Sequence, residues 1–204
     1  MSGSFDERAA TWDDDPGKLD RAREVADAIR ASVPLERSMR VLEYGAGTGL
    51  LTQALVDQIG PVTLTDPSSG MREVLAAKRA DGVFPDARVV DLDLSRDPIP
   101  TDRYDLVLSM MVLHHIVDLP PVLDGFAQLL EPGGWLAVAD LEREDGSFHD
   151  EGFEGHHGID RDDLTGWLAD AGFISVGFRR AGATIKHDRP YPLFLATAQR
   201  GSGR

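Results

Sequence analysis

Glu43-Tyr44-Gly45-Ala46-Gly47-Thr48-Gly49 places three glycines at alternate positions behind a carboxylate. Glycine opens backbone turns closed to other residues and lets a ligand reach the main chain with no Cβ in the way. The spacing departs from the dinucleotide fingerprint G-x-G-x-x-G, because the third glycine comes one residue early and an acid stands two residues before the first. Asp66 ends a second apolar run, and Asp91 and Asp93 end a third; a carboxylate there can accept hydrogen bonds from a polar ligand. All six histidines lie beyond residue 113: His114 and His115 adjacent, His149, His156 and His157 in an acidic stretch, and His187 apart. Imidazole titrates where proton transfer is useful near neutrality. A metal site from Glu142, His149 and His156 fits by ligand type. No metal is assigned, however. With no cysteine in the chain, disulfides, thiolate metal sites and Cys nucleophiles are excluded.

These residues need a frame. Val41–Tyr44 reads as a buried strand running into the glycine turn, and Leu50–Ile59 has helical apolar spacing. Val62–Thr65 predicts a second strand, with Pro67-Ser68 opening a helix to about Ala80. Ala87–Leu92, Tyr104–Ser109 and Trp135–Asp140 predict three more strands, with a helix at Val122–Leu130 before the Pro132-Gly133-Gly134 turn. Strand–helix alternation implies right-handed crossovers and a parallel sheet covered on both faces. A helix at about Arg161–Ala171 is followed by strand-like runs at Phe173–Arg180 and Leu193–Gln199, which can pair directly only if antiparallel. Lys18–Ser32 reads as an amphipathic helix behind a ragged aromatic and acidic arm containing Phe5 and Trp12. Ser202–Arg204 reads as a short tail.

The glycine run resembles motif I of the class I S-adenosylmethionine-dependent methyltransferases. Tyr104–Asp118, with its LHH pattern, is similar to the fourth strand and following helix of the small-molecule members, including the ubiquinone and menaquinone biosynthesis group. Leu129–Leu136 resembles the turn before their fifth strand. The resemblance, over roughly residues 40–200, implies an α/β, Rossmann-like doubly wound seven-stranded mixed sheet, mainly parallel with an antiparallel C-terminal strand. One domain over 1–204 is expected: arm and covering helix at 1–39, core at 40–200, and an acidic, His-rich lid at 141–160. Through the resemblance the cofactor S-adenosyl-L-methionine is assigned to Glu43, Gly45, Ala46, Gly47, Gly49, Asp66, Pro67, Met71, Asp93, Leu94 and Ser109. Asp66 would hold the ribose and Met71 the adenine face; either Asp91 or Asp93, the latter favoured, would read the adenine amino edge. His114, His115 and His149 are the candidate bases. Trp12, His156 and His157 are assigned to the acceptor, and Arg21 or Arg23 to the methionine carboxylate. The expected reaction moves a methyl group to an O, N or C atom of a small molecule; a non-catalytic cofactor-binding sensor or accessory module is the alternative.

The chain has 204 residues and a formal charge of −14. That average field disfavours nucleic acid as a partner. The charge is uneven: residues 1–20 carry net −4 and residues 141–163 net −7. Topology sets both segments near the acceptor, so a neutral or cationic acceptor is expected. No apolar run approaches the roughly 18–20 residues of a membrane span. The polar, acidic start lacks the pattern of a secretion signal, so a cytoplasmic monomer or homodimer is expected.

Overall fold

Short runs buried on both faces become the centre of the sheet. In the structure, a computed structural model that describes residues 2–202 with side chains from residue 5, strands β1 (Val41–Tyr44) and β2 (Val62–Thr65) are buried at every position. A parallel strand covered on both faces requires this. β3 (Arg88–Val90) and β4 (Tyr104–Met110) extend the parallel set on either side, and β5 (Leu130–Leu141) follows β4. A hairpin of β6 (Phe173–Lys186) and β7 (Arg189–Arg200) completes a seven-stranded sheet of order β3-β2-β1-β4-β5-β7-β6, with β7 antiparallel to both neighbours.

Alternation along each strand feeds two cores. Val41, Leu106 and Leu108 face the side covered by α2 (Pro16–Arg30), α3 (Leu50–Leu55) and α4 (Ser69–Ala80). Leu42 and Val107 face α5 (Pro120–Leu129) and α6 (Arg161–Asp170), where Phe126, Leu164 and Leu168 are buried. Each such side chain contributes roughly 1.5–3 kcal/mol by leaving water. The order in which successive strands are added reverses between β1 and β4, and such a switch point opens a crevice at the carboxyl ends of the strands.

Several elements differ from expectation for local reasons. The arm is ordered: its first helix, Ser2–Arg8, is followed by a 3₁₀ segment, Ala9–Asp14. α2 begins at Pro16 because the Asp15 carboxylate caps it, accepting from the Gly17 amide at 2.9 Å. α3 ends at Leu55, tightening into turns before Gly60-Pro61. No helix forms directly after β4; a single 3₁₀ turn, Leu113–His115, stands there, and the next helix waits for Pro120. The Asp140 carboxylate takes up the free Leu113 and His114 amides of that turn, at 2.9 and 3.3 Å. β6 and β7 run several residues longer than predicted and meet at His187-Asp188, both at positive φ (51° and 58°). That conformation suits a tight hairpin, but the pair lacks the glycine that usually announces one. Of the expected tail, Gly203 and Arg204 lie outside the described residues. No helix among the described residues is long and apolar enough to cross a membrane.

Candidate active site

The crevice holds a cavity of about 550 Å³, within the roughly 300–1,000 Å³ range of small-ligand sites. Its floor is the turn after β1. Gly45 has φ +69°, and a Cβ there would lie 2.4 Å from a Val112 methyl, so only glycine lets the loop after β4 come this close. Gly47 has φ +55° and nothing within 4 Å of a Cβ position, because it faces the cavity. The Ala46 amide donates to the Thr65 carbonyl at 2.8 Å, pinning the turn to β2.

Asp66, at the end of β2, accepts from the Gly47 amide at 2.8 Å and the Ser68 amide at 2.9 Å, and burial raises its pKa. It lines the cavity with Pro67 and the buried Met71. At the end of β3, Asp93 lines the wall, whereas Asp91 points outward to Arg72, 3.1 Å away. The Lys18 and Arg21 side chains of α2 also line the cavity, and the Arg21 guanidinium donates to Thr184 Oγ1 at 2.8 Å; Arg23 lies on the surface beside Asp20.

Four expected cofactor contacts stand behind the wall. Glu43 is buried beneath the turn, accepting from the Thr52 amide at 3.1 Å and from the Thr52 hydroxyl; burial pushes its pKa up to about 7. Gly49 faces α4, where a Cβ would lie 2.8 Å from a Leu75 methyl. Ser109 donates its hydroxyl to the Tyr44 carbonyl at 3.1 Å, tying β4 to β1. Leu94 packs inward, and its amide donates to the Tyr44 hydroxyl at 3.1 Å. These residues shape the floor from below.

The arm forms the roof, with Phe5 and Trp12 lining it. Asp6 accepts from the Ser68 hydroxyl at 2.6 Å and the Gly70 amide at 2.8 Å, and these bonds lower its pKa. Asp13 accepts from the Thr48 hydroxyl at 2.5 Å and pairs with Lys78 at 2.6 Å. Phe5, Asp6 and Asp13 have no periodic signature in the sequence, and only their contacts reveal the fastening.

At the other end the histidines separate. His115 lines the cavity beside Met110, Met111, Ile116 and Val117, its ring edge-on to Phe5 at 5.5 Å between centroids. Burial, then the neighbouring His114, depress its pKa to about 3. His114 is fully buried, with Nδ1 2.5 Å from the Asp140 carboxylate. Asp140 was not singled out in the sequence, although it ends the strand beside β4. His149 stacks on Phe153 at 3.6 Å, touching the other two rings from outside the cavity wall, and burial lowers its pKa to about 4.

His156 and His157, expected at the acceptor, are not in the cavity wall. The His156 amide donates to the His114 carbonyl at 2.7 Å and its ring faces Trp167, while His157 is exposed, 3.4 Å from Glu144. The metal group Glu142, His149 and His156 is not assembled, because Glu142 pairs with Arg161. The acidic segment is matched by bases only in part: Asp145 pairs with Arg189 at 2.9 Å and Asp150 with Lys186 at 3.5 Å. The cavity wall itself holds Asp66, Asp93 and Asp118 against Lys18, Arg21 and Arg96.

A model of the methyltransferase domain family matches residues 18–176. The chain belongs to this family. Among relatives of this methyltransferase, fusarielin synthase of Gibberella zeae is 38% identical over 111 residues, half of this chain but 4% of that protein's length. The methyltransferase thus corresponds to a small part of such synthases. Solved structures share its fold across nearly the whole chain. One, from a complex of the Haloferax volcanii Trm112 methyltransferase activator with a methyltransferase, superposes with a TM-score of 0.78 at 22% identity, covering 97% of each chain. A Haemonchus contortus phosphoethanolamine N-methyltransferase, solved with phosphomonomethylethanolamine and S-adenosylhomocysteine, gives 0.72 at 15% identity over 87% of this chain and 52% of that one.

Proposed function

We propose that this methyltransferase moves the methyl group of S-adenosylmethionine to an O, N or C atom of a small, neutral or cationic acceptor. The observation that carries this reading is the open face of Gly47 beside the Asp66 carboxylate, where a Cβ would occupy the space a ligand needs. The cofactor supplies a methyl on a sulfonium, already a good leaving group. The chain's work is then positioning and exclusion of water.

Asp66 presents carboxylate oxygens to the ribose hydroxyls, and Asp93 takes the adenine amino edge. Met71 lies against the adenine, and Lys18 with Arg21 holds the methionine carboxylate. His115 stands with Met110, Met111 and Ile116 at the acceptor end, where a neutral imidazole accepts a hydrogen bond from an acceptor O–H or N–H. His114 positions His115 rather than meeting the acceptor, and His149 backs both rings. Trp12 and Phe5 close the roof against water. A neutral or cationic acceptor is supported by the balanced wall and by the negative charge that the acidic segment keeps. A cytoplasmic monomer or homodimer is proposed with this activity.

The test is calorimetric titration with S-adenosylmethionine, followed by incubation of enzyme and methyl-labelled cofactor with a cell extract and profiling of labelled products. Saturable binding, lost in Gly47→Arg, with a labelled small molecule is expected. Binding without product from any extract would support the sensor alternative, and unchanged affinity in Gly47→Arg would overturn the cofactor site.

A further inference from the structure

We propose that His114, His115 and His149 form a three-imidazole site for a borderline transition-metal ion of the Zn²⁺ or Co²⁺ kind, at the acceptor end of the cavity. One ligand nitrogen from each lies within 4.8 Å of the other two. The rings form a triangle with centroid separations of 4.1, 5.1 and 5.4 Å, the two longer sides being those to His149. The His115 and His149 Nδ1 atoms are buried with no hydrogen-bond partner, two of five such side-chain atoms among the described residues. An unpaired buried polar atom costs roughly 1–3 kcal/mol, which a bound ion would remove.

Asp140 gives the third ring its role. It accepts at 2.5 Å from His114 Nδ1, and amides of Leu113, His114 and Leu141 fix the carboxylate in turn. That bond leaves the proton on Nδ1 and the Nε2 lone pair free, the carboxylate–histidine arrangement found behind metal-ligating imidazoles. Phe148 and Phe153 pack around the His149 ring and supply an apolar surround. Imidazole suits Zn²⁺, Co²⁺, Ni²⁺ and Cu²⁺ and not the oxygen-seeking Mg²⁺ or Ca²⁺. Bonds of about 2.0–2.1 Å in a tetrahedron set nitrogens about 3.3 Å apart. The triangle must therefore close from separations of up to 4.8 Å, and the corner contributed by His149 is the one carried on a segment without helix or strand between β5 and α6. Because His115 lines the cavity, the position left by three protein ligands would face the acceptor end, and with the ion bound the acceptor O–H or N–H would meet the ion there in place of the His115 lone pair. A site with three protein ligands and one open position is the catalytic rather than the structural type. Only the ion's role toward an acceptor rests on the methyl-transfer reading; its binding does not.

The experiment titrates the metal-stripped chain, without a polyhistidine tag, with Co²⁺ and follows visible absorption, then displaces Co²⁺ with Zn²⁺. One equivalent per chain is expected, with a spectrum of nitrogen and oxygen ligands, since the chain has no cysteine. His149→Ala and His115→Ala should each weaken binding about 100-fold or more. Asp140→Asn, which turns an NH2 toward donors that now meet a carboxylate oxygen and so loosens the hold on His114, should weaken it about 10–100-fold in protein that still binds S-adenosylmethionine. His187→Ala, at the β6–β7 turn and outside the three-histidine group, should leave it unchanged. His149→Ala should still bind S-adenosylmethionine, which shows that it is folded. Absence of stoichiometric Co²⁺ binding, or binding that survives His149→Ala or follows His156 or His157, overturns the site. If S-adenosylmethionine binds and Co²⁺ does not, this inference fails alone; if Co²⁺ binds through His149 and S-adenosylmethionine does not, the methyl-transfer reading fails alone.

Discussion

At the glycine end of the cavity the groups that shape the site belong to one strand–turn–helix unit and the carboxylate at the tip of the next strand; at the histidine end the groups that hold one another come from three separate places in the chain. The first end is set by backbone conformation: positive φ at Gly45 and Gly47, and amides aimed at Asp66. The second is set by side-chain packing, with His114 bonded to Asp140 across 26 residues and His149 arriving from an irregular segment. A site written into backbone geometry tolerates change in its surroundings and fails when a glycine is replaced. One assembled from distant side chains depends on every loop that delivers them.

The largest effect that would break this contrast is at Gly47. Gly47→Arg should weaken S-adenosylmethionine binding by more than about 100-fold, roughly 3 kcal/mol, measured by calorimetry. Its thermal midpoint should fall little, since the only strain is that of positive φ, about 1–2 kcal/mol. A variant that unfolded instead would show that this end, too, depends on packing.

Asp140→Ala probes the other end. It leaves His114 and three amides without their acceptor in the core, so urea unfolding should show a loss of about 3–5 kcal/mol. Cofactor affinity of the folded fraction should stay within a few-fold. A large loss of affinity would mean that the two ends are coupled.

Glu43 sharpens the comparison through pH. Burial raises its folded pKa from the ordinary 4.5 to about 7. Its contribution to stability is therefore complete below pH 4.5 and lost as pH rises through about 7, amounting to about 3 kcal/mol. Glu43→Gln should lack this slope and gain on the wild type from about pH 5 to pH 8 in urea titrations. Parallel curves would mean that the carboxyl is ionised in the fold at all these pH values.

The smallest effect is expected at the roof. Asp13→Ala removes the bond from Thr48 and the ion pair with Lys78. The pair is partly exposed, so about 1 kcal/mol is expected. Residues 1–14 should become more sensitive to limited proteolysis, and cofactor affinity should fall about fivefold. No change in either would show that Phe5 and Trp12 hold the arm without the clasp.

Most of the sheet was legible because β1, β2 and β4 are apolar runs bounded by turn residues, a pattern that short-range chemistry imposes. The hairpin of β6 and β7 was shortened in the reading because His187-Asp188 turns without glycine and Pro190 and Pro192 interrupt the apolar pattern. The missing helix after β4 has a different cause. Its amides are satisfied by Asp140, a partner that no local window contains.

By itself the sequence determined the strand–glycine–helix floor, Asp66 at the next strand end and the antiparallel close of the sheet. Each follows from φ/ψ limits, apolar periodicity or chain reach, which act over a few residues. Tertiary structure alone decided that Glu43, Gly49, Leu94 and Ser109 support the floor from behind, and that the arm is clasped over it. It also decided that the rings of His115 and His149 meet that of His114 while those of His156 and His157 do not. Those outcomes depend on which loops converge at the switch point and on where a buried carboxylate finds its donors, and neither is encoded within any one stretch of chain.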